Sequence, residues 1–154
     1  MRDYDLDYLR MAIATARRAR EHGNHPFGAV LVDAEGQFLA EAENTVNSGR
    51  DCTGHAETNL MRKASSQFSL ETLASSTLYT STEPCAMCSG AIFWGGISRV
   101  VFGLSEEGLF DLTTGPFYFH LPCREVFFRS GRSIEVLGPL LVEEARKVHE
   151  GFWR

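Results

Sequence analysis

The chain has few cysteines, only two lysines and no long apolar stretch, and each shortage excludes a class of protein. Four cysteines in 154 residues are too few for the disulfide framework of a small secreted protein. No apolar run approaches the roughly 20 residues that a membrane-spanning helix needs. The amino terminus is charged and helical in pattern, and it lacks the apolar centre of a secretory signal. We therefore expect a cytoplasmic protein with no membrane partner.

Basic residues are scattered along the chain and form no concentrated patch. The 15 Lys and Arg residues are outnumbered by 20 Asp and Glu residues, which gives a formal net charge of -5. Because phosphate binding demands a concentrated basic surface, a nucleic acid is not expected as a partner. Hydrophobic residues make up 44% of the chain, as in a globular protein. We expect one domain that spans residues 1–154.

Hydrophobic periodicity predicts a helix and a hairpin at the start of the chain. Apolar residues at three- and four-residue steps predict a helix from Leu6 to His22, which Gly23 ends. The runs PFGAVLVD and QFLAEAEN are typical of two short strands, so we predict a hairpin. The polar run TVNSGRDCTG that follows is expected to be a loop.

Strands and helices alternate through the rest of the chain. TLYTS, SRVVFGL and SIEVLG predict strands. One helix is predicted over about 55–66, with Thr53 or Gly54 as its cap, and another over CAMCSGAIFW. A last helix is predicted through PLLVEEARKVHEGFW, and Pro139 starts it. Residues 106–132 have no clear period and are expected to form loop and short helix. This order predicts an α/β fold, a three-layer α/β/α sandwich with a mixed sheet.

Two short motifs, HAE at 55–57 and PCAMC at 84–88, carry the candidate chemistry. Cys85 and Cys88 are three residues apart in the first turn of a predicted helix, so both sulfurs can point at one atom. A helix start also favours thiolates. His55, at another helix start, would be a third ligand to Zn²⁺ and leave the fourth tetrahedral position for water. Glu57 could reach that water and transfer its proton, which indicates hydrolysis at an electrophilic carbon.

Each motif also has a less specific interpretation. A Cys-x-x-Cys pair at a strand-to-helix turn is typical of thioredoxin-type redox sites and of structural metal sites as well. His22, His25 or Cys52 could supply a fourth ligand and so close the site. A non-catalytic zinc or redox module would keep the cysteines but would not need Glu57.

Together, HAE and PCAMC resemble the signature of the zinc-dependent cytidine and purine deaminase superfamily. The resemblance extends through PFGAVLV, TLYTSTEPCAMCSGAI and SRVVFG, and it is closest to guanine deaminase-like nucleobase deaminases. It implies a five-stranded mixed sheet, assembly as a homodimer, and hydrolysis of an amino-bearing ring carbon with release of ammonia. It also implies that His55, Cys85 and Cys88 bind zinc and that Glu57 is the proton shuttle.

The same resemblance suggests residues that bind the substrate. Asn44 lies where the guanine and tRNA adenosine deaminases place a base-binding Asn, whose amide offers both a donor and an acceptor. Phe27 and Trp94 match aromatic positions of the guanine branch, and Asp111 falls where that branch uses an acidic residue. Ala56, in the middle of HAE, completes the set. If the family is ignored, the pattern favours Phe27 and Trp94 as plain core residues and Asp111 as a solvated cap.

The branches of the superfamily differ in the residues after Gly103. The tRNA enzymes share D-x-K-x-G and a following Asn-His, whereas this chain has LSEEGLFDLTTGPFYFHLPC, with Glu106 and Glu107 in place of the basic element. With the acidic total charge, this favours a small free base, guanine first, over an anticodon loop. Deamination of tRNA adenosine or of cytosine is the alternative.

The chain ends in EGFWR, which places Phe152 and Trp153 after the last predicted helix. Aromatic residues at the carboxy terminus cover the pocket in some members of the superfamily. Here we expect these two to pack the last helix against the sheet or against a neighbouring subunit.

Overall fold

Five strands and eight helices make up the part of the chain that the computed structural model describes, residues 1–113, 115 and 118–153. The strands are β1 (Gly28–Val32), β2 (Phe38–Glu43), β3 (Thr77–Thr82), β4 (Arg99–Leu104) and β5 (Glu135–Leu137). The helices are α1 (Asp5–Glu21), α2 (Val46–Gly49), α3 (Ala56–Gln67), α4 (Leu70–Ala74), α5 (Ala86–Trp94), α6 (Glu106–Phe110), α7 (Cys123–Phe128) and α8 (Val142–Lys147). No helix among these residues is both long and apolar enough to cross a membrane.

The five strands form one mixed sheet in the order β2-β1-β3-β4-β5. β1 pairs antiparallel with both β2 and β3, while β3, β4 and β5 run parallel. Parallel neighbours need crossover connections, and α5 supplies the one between β3 and β4. The predicted five-stranded mixed sheet is confirmed.

Helices cover both faces of the sheet. β1 shows how the alternation works, because its residues 29 and 31 face one layer and residues 30 and 32 the other, and all of them are buried. α1 and α8 pack on one face, and α3, α4, α5 and α7 pack on the other. A strand that is buried on both faces has a continuous apolar sequence, as GAVLV does. The predicted three-layer architecture is therefore the one that forms.

Gly28, at the start of β1, lies where α1 crosses the sheet. A Cβ atom added there would come within 2.4 Å of the backbone nitrogen of Ala16. Only glycine allows this close approach of helix to strand. The backbone N–H of Gly28 donates to Ser81 Oγ at 3.1 Å, which ties β1 to the end of β3. The contact therefore fixes the segment before β1 against the sheet.

A buried ionic cluster joins the start of α1 to the middle of the sheet. Arg99 donates two parallel hydrogen bonds to the Asp5 carboxylate, at 2.8 and 2.7 Å. Tyr79 Oη donates to the same carboxylate at 2.6 Å, as does the backbone N–H of Arg2 at 2.7 Å. Burial alone would raise the pKa of Asp5, but these hydrogen bonds outweigh it and lower that pKa to about 2. Arg99 also contacts Glu135 on β5.

Several predicted boundaries are wrong by a residue or more. The cap of α3 is His55 itself, not Thr53 or Gly54. The predicted loop over TVNSGRDCTG contains the short helix α2. The last helix does not start at Pro139, because Leu141 has a positive φ of 51° that delays the helix to Val142. The chain then leaves the helix after Lys147, well before the end of the predicted run.

Residues 106–132, expected to be loop and short helix, contain α6 and α7. Ser105 caps α6, because its hydroxyl accepts a hydrogen bond from the Gly108 backbone at 3.0 Å. Thr114, Pro116 and Phe117 of this segment, and Arg154 of the carboxy terminus, lie outside the described residues.

Candidate active site

Three side chains from two helix starts meet beyond the carboxyl end of β3. His55 is the N-cap of α3, Cys85 is the N-cap of α5, and Cys88 lies in the first turn of α5. His55 Nδ1 lies 3.5 Å from each of the two sulfurs. The three ligand atoms lie within 4.8 Å of one another, and no fourth His, Cys, Asp or Glu joins them among the described residues. One imidazole nitrogen and two sulfurs fit zinc, with one position left open.

The local backbone explains why these side chains converge. Both N-cap residues, His55 and Cys85, have extended backbone, so each side chain leaves its helix ahead of the first turn. Hydrogen bonds from Cys88 and from His55 lower the pKa of Cys85 far below its ordinary value. A thiolate is the form of cysteine that binds a metal. Thr58 Oγ1 lies 3.2 Å from Cys88 Sγ and holds that buried sulfur in place.

Glu57 lies in the first turn of α3 and is 5% exposed. Its Oε1 accepts a hydrogen bond from the hydroxyl of Thr80 on β3. The same hydroxyl lies 3.0 Å from the backbone carbonyl of Thr82. Burial raises the pKa of Glu57 above its ordinary value. A raised pKa suits a carboxyl group that must both take up and release a proton.

A cavity of about 360 Å³ opens beside His55 and Cys85. That volume is within the range of small-molecule sites. Its other lining residues are aliphatic, aromatic, acidic or thiol-bearing: Cys52, Glu83, Met87, Glu106, Leu109, Phe110, Tyr118 and Phe119. Phe110 and Tyr118 stack with ring centroids 3.8 Å apart. A flat aromatic ligand would therefore meet flat aromatic walls.

Glu106 brings a second titratable carboxyl group to this cavity. It is the first residue of α6 and is only 8% exposed. Burial, and then the charges of Glu83 and Cys85, raise the pKa of Glu106 to about 7. Such a group can accept a hydrogen bond from a ring N–H or, when protonated, donate one.

Asn44, Phe27 and Ala56 lie around the start of α3. Asn44 is 1% exposed, its Oδ1 accepts from the Val46 backbone at 3.0 Å, and its Nδ2 has no hydrogen-bond partner among the described residues. The backbone N–H of Asn44 donates to the Phe27 carbonyl at 3.0 Å. Ala56 is fully buried as the first residue of α3. None of the three is among the residues that line the cavity with His55 and Cys85, so their role in substrate binding stays a prediction.

Trp94 and Asp111 are not brought to the cavity. Trp94 ends α5 with 83% of its surface exposed, and it contacts Phe93. Asp111 is exposed at the carboxyl end of α6, one residue beyond the cavity-lining Phe110. Within this chain, neither side chain lines the cavity with His55.

The carboxy terminus packs on the segment before β1. Trp153 Nε1 donates to His149 Nδ1 at 3.0 Å, and the Trp153 ring lies 5.6 Å from His25 and 6.1 Å from Phe27. His25 is half-buried, and burial, followed by the charge of His55, lowers the pKa of His25. The carboxy-terminal aromatic residues therefore pack beside the site, against residues that border it.

The sequence does not predict Glu83, Glu106, Phe110, Tyr118 or Phe119 as lining residues. In the sequence, Glu106 is identified only by the absence of a basic residue at that position. A signal was present, because Ser105 followed by two glutamates after a strand predicts a helix start at the carboxyl edge of the sheet. Tyr118 and Phe119 follow a run with no period, and no sequence pattern would have placed them.

Comparison with known proteins agrees with this geometry. Residues 2–104 match the family model described as the cytidine and deoxycytidylate deaminase zinc-binding region. The chain is 46% identical over 154 residues to a probable cytosine deaminase of Schizosaccharomyces pombe, covering 97% of this chain and 92% of that protein. It is 34% identical to the tRNA-specific adenosine deaminase of Haemophilus influenzae, over 99% of this chain and 84% of that protein.

A solved structure gives the same result for the fold. The X-ray structure of guanine deaminase from Bacillus subtilis superposes with a TM-score of 0.65 at 29% identity, covering 96% of this chain and 91% of that one. The match to the family model covers both HAE and PCAMC. The chain therefore belongs to the cytidine and deoxycytidylate deaminase zinc-binding family, whose members are zinc-dependent hydrolytic deaminases.

Proposed function

We propose that this deaminase acts on a free nucleobase, with guanine as the first candidate. The observation that carries the proposal is the position of Glu106, a buried carboxyl group on the wall of an aromatic-lined cavity beside the metal ligands. A base presents ring N–H groups, and such a carboxylate can accept a hydrogen bond from one of them. The Bacillus subtilis guanine deaminase structure supports the choice of guanine.

The residues of the site divide the reaction between them. His55, Cys85 and Cys88 would hold the zinc ion, which when bound supplies Lewis-acid activation of water. Glu57 takes a proton from the water and delivers it to the leaving amino group, since its raised pKa suits a group that must both accept and donate. Asn44 Nδ2 donates to an acceptor on the ring edge.

A free base fits this site better than a base within tRNA. The stretch after β4 is acidic where an RNA-binding surface would be basic, and the whole chain has a net charge of -5. Unstacking a nucleotide from an anticodon loop also needs contacts to flanking phosphates. Those contacts would have to be made next to Glu106 and Glu107.

Cytosine is the second candidate. The Schizosaccharomyces pombe relative, described as a probable cytosine deaminase, is matched over nearly its whole length. Cytosine also offers a ring acceptor, N3, next to its amino-bearing carbon and a ring N–H, N1, on the far side of the ring. Both candidates use the same residues and differ in how far the ring extends toward Phe110 and Tyr118.

A substrate panel tests the proposal. Zinc-loaded protein would be assayed for ammonia release with guanine, cytosine, adenine, their nucleosides and a tRNA anticodon stem-loop. We expect the highest kcat/KM with guanine and no conversion of the stem-loop. Conversion of the stem-loop without turnover of any free base would contradict the proposal, and cytosine as the best substrate would select the second candidate.

Replacement of Glu106 by Gln is expected to raise KM for the preferred base about tenfold, with a smaller change in kcat. The reason is that a hydrogen bond to a charged group contributes about 1.5–3 kcal/mol to binding. Steady-state kinetics would be compared with those of Glu107→Gln, which removes the exposed neighbouring charge. Equal effects of the two substitutions would show that Glu106 acts only through net charge.

We also propose that the chain forms a homodimer through the surface around Trp94 and Phe128. These two side chains are 83% and 84% exposed, which is unusual for large aromatic residues. A second copy would cover them and explain why Trp94 is exposed within one chain. Light scattering that gives the mass of a single chain would refute the dimer.

A further inference from the structure

Glu83 connects the metal-binding turn to the segment that lines the substrate cavity. It lies between the end of β3 and the Pro84-Cys85 pair. Its Oε1 accepts a hydrogen bond from the backbone N–H of Glu106 at 2.9 Å, and its Oε2 accepts one from the backbone N–H of Cys123 at 2.8 Å. One carboxylate therefore holds two other parts of the chain.

The two N–H groups are the first of their helices. Glu106 begins α6 and Cys123 begins α7, and the first N–H groups of a helix have no partner within it. Glu83 supplies that partner for both helices at once. The starts of α6 and α7 are thus fixed to the same side chain, which restrains the two helices relative to each other in the way that a cross-link does.

The base of this connection is rigid. The backbone N–H of Glu83 donates to the Leu104 carbonyl at 2.8 Å and so extends the pairing of β3 with β4. Pro84 restricts the residue before it to extended conformations. The Glu83 side chain therefore starts from a fixed backbone, two residues away from the metal ligand Cys85.

The segment held in this way carries half of the residues that line the cavity. Glu106, Leu109 and Phe110 come from α6, and Tyr118 and Phe119 come from the residues that follow it. At the other end, Cys123 and Phe127 of α7 are buried in the core. Both Glu83 oxygens are already occupied by backbone N–H groups, so its role differs from the ligand-binding role proposed for Glu106.

We infer that Glu83 is a positioning residue for substrate selection, which sets the distance between the metal ligands and the wall that recognises the base. For the base concerned, this rests on the proposed function. Without Glu83 the metal site and Glu57 remain, because neither is hydrogen-bonded to its side chain among the described residues. The wall, however, loses its fixed position relative to them.

Glu83→Gln tests the inference, because Gln keeps the size but replaces one acceptor oxygen with an N–H₂ donor. We expect unchanged zinc content, a KM raised about tenfold, kcat within about threefold, and a smaller ratio of guanine to cytosine kcat/KM. Backbone amide exchange followed by NMR on the zinc-loaded protein should show faster exchange at Glu106 or Cys123. The comparison variant Ser105→Ala removes the cap of α6 itself and should leave Cys123 protected.

Two results would overturn the inference. In the first, both amides stay protected and KM is unchanged in Glu83→Gln. In the second, the variant loses its zinc, which would mean that Glu83 supports the metal turn and not the cavity wall. A wild-type protein that deaminates no free base would refute the proposed function. The exchange measurement needs no turnover, so the Glu106 and Cys123 amides would still decide the role of Glu83.

Discussion

A Glu57→Gln protein is expected to show a kcat about 10²- to 10⁴-fold lower than the wild type while it keeps its zinc. Gln has the size of Glu and can still contact the Thr80 hydroxyl, so the fold around α3 is retained. What it lacks is a group that can take and return a proton. Ammonia release under saturating substrate measures the loss, and elemental analysis measures the metal.

A control variant and two alternative outcomes make this result specific. Glu71→Gln changes another glutamate in the first turn of a helix, at an exposed position, and should leave kcat unchanged. A Glu57→Gln protein that retains both zinc and full activity would exclude the proton-transfer role. Loss of zinc in this variant would show that Glu57 supports the metal. That result would favour the interpretation of the site as a non-catalytic zinc module.

Asp5→Asn is expected to lower the free energy of unfolding by about 3–5 kcal/mol, which is a large share of the stability of an ordinary domain. The substitution leaves Arg99, only 5% exposed, without its buried charged partner, and the remaining contact is with the exposed Glu135. Urea unfolding at neutral pH measures the change. Asp7→Asn is the matched control, since Asp7 lies in the same first turn of α1 but is exposed, and its loss should cost no more than about 1 kcal/mol.

The same cluster predicts how stability depends on pH. The pKa of Asp5 is about 2 in the folded protein and has an ordinary value of 3.8, so folding favours the ionised form. The contribution of the Asp5 carboxylate to the free energy of unfolding is complete above pH 3.8 and is lost as the pH falls from there toward 2. In Asp5→Asn this part of the acid sensitivity should disappear, and equal acid sensitivity of the two proteins would contradict the assignment.

The sequence predicted the architecture well because the strongest patterns belong to the most buried elements. GAVLV and RVVFGL are buried along their whole length, and α1 shows clear three- and four-residue spacing. Boundaries failed where local geometry overrides periodicity. The delayed start of α8 depends on the positive φ of Leu141, and no pattern in the run after Pro139 announces it.

The convergence of the three predicted metal ligands could be foreseen because each depends only on its distance from a helix start. His55 and Cys85 are N-cap residues and Cys88 lies in the first turn, and short-range spacing in the sequence records that arrangement. The cavity wall could not be predicted in the same way, because Glu106 and Tyr118 reach it through packing across the chain. Asp111 was the expected acid, but the turn of α6 points Glu106 inward and leaves Asp111 exposed.

The Thr80 hydroxyl contacts both Glu57 and the Thr82 carbonyl, yet it carries a single hydrogen. With Glu57 ionised, that hydrogen points at the carboxylate. With Glu57 neutral, the acid can donate to the threonine oxygen, which then turns its hydrogen to the strand carbonyl. The threonine can therefore pair with either form of Glu57 through a rotation about one C–O bond that moves only its hydrogen.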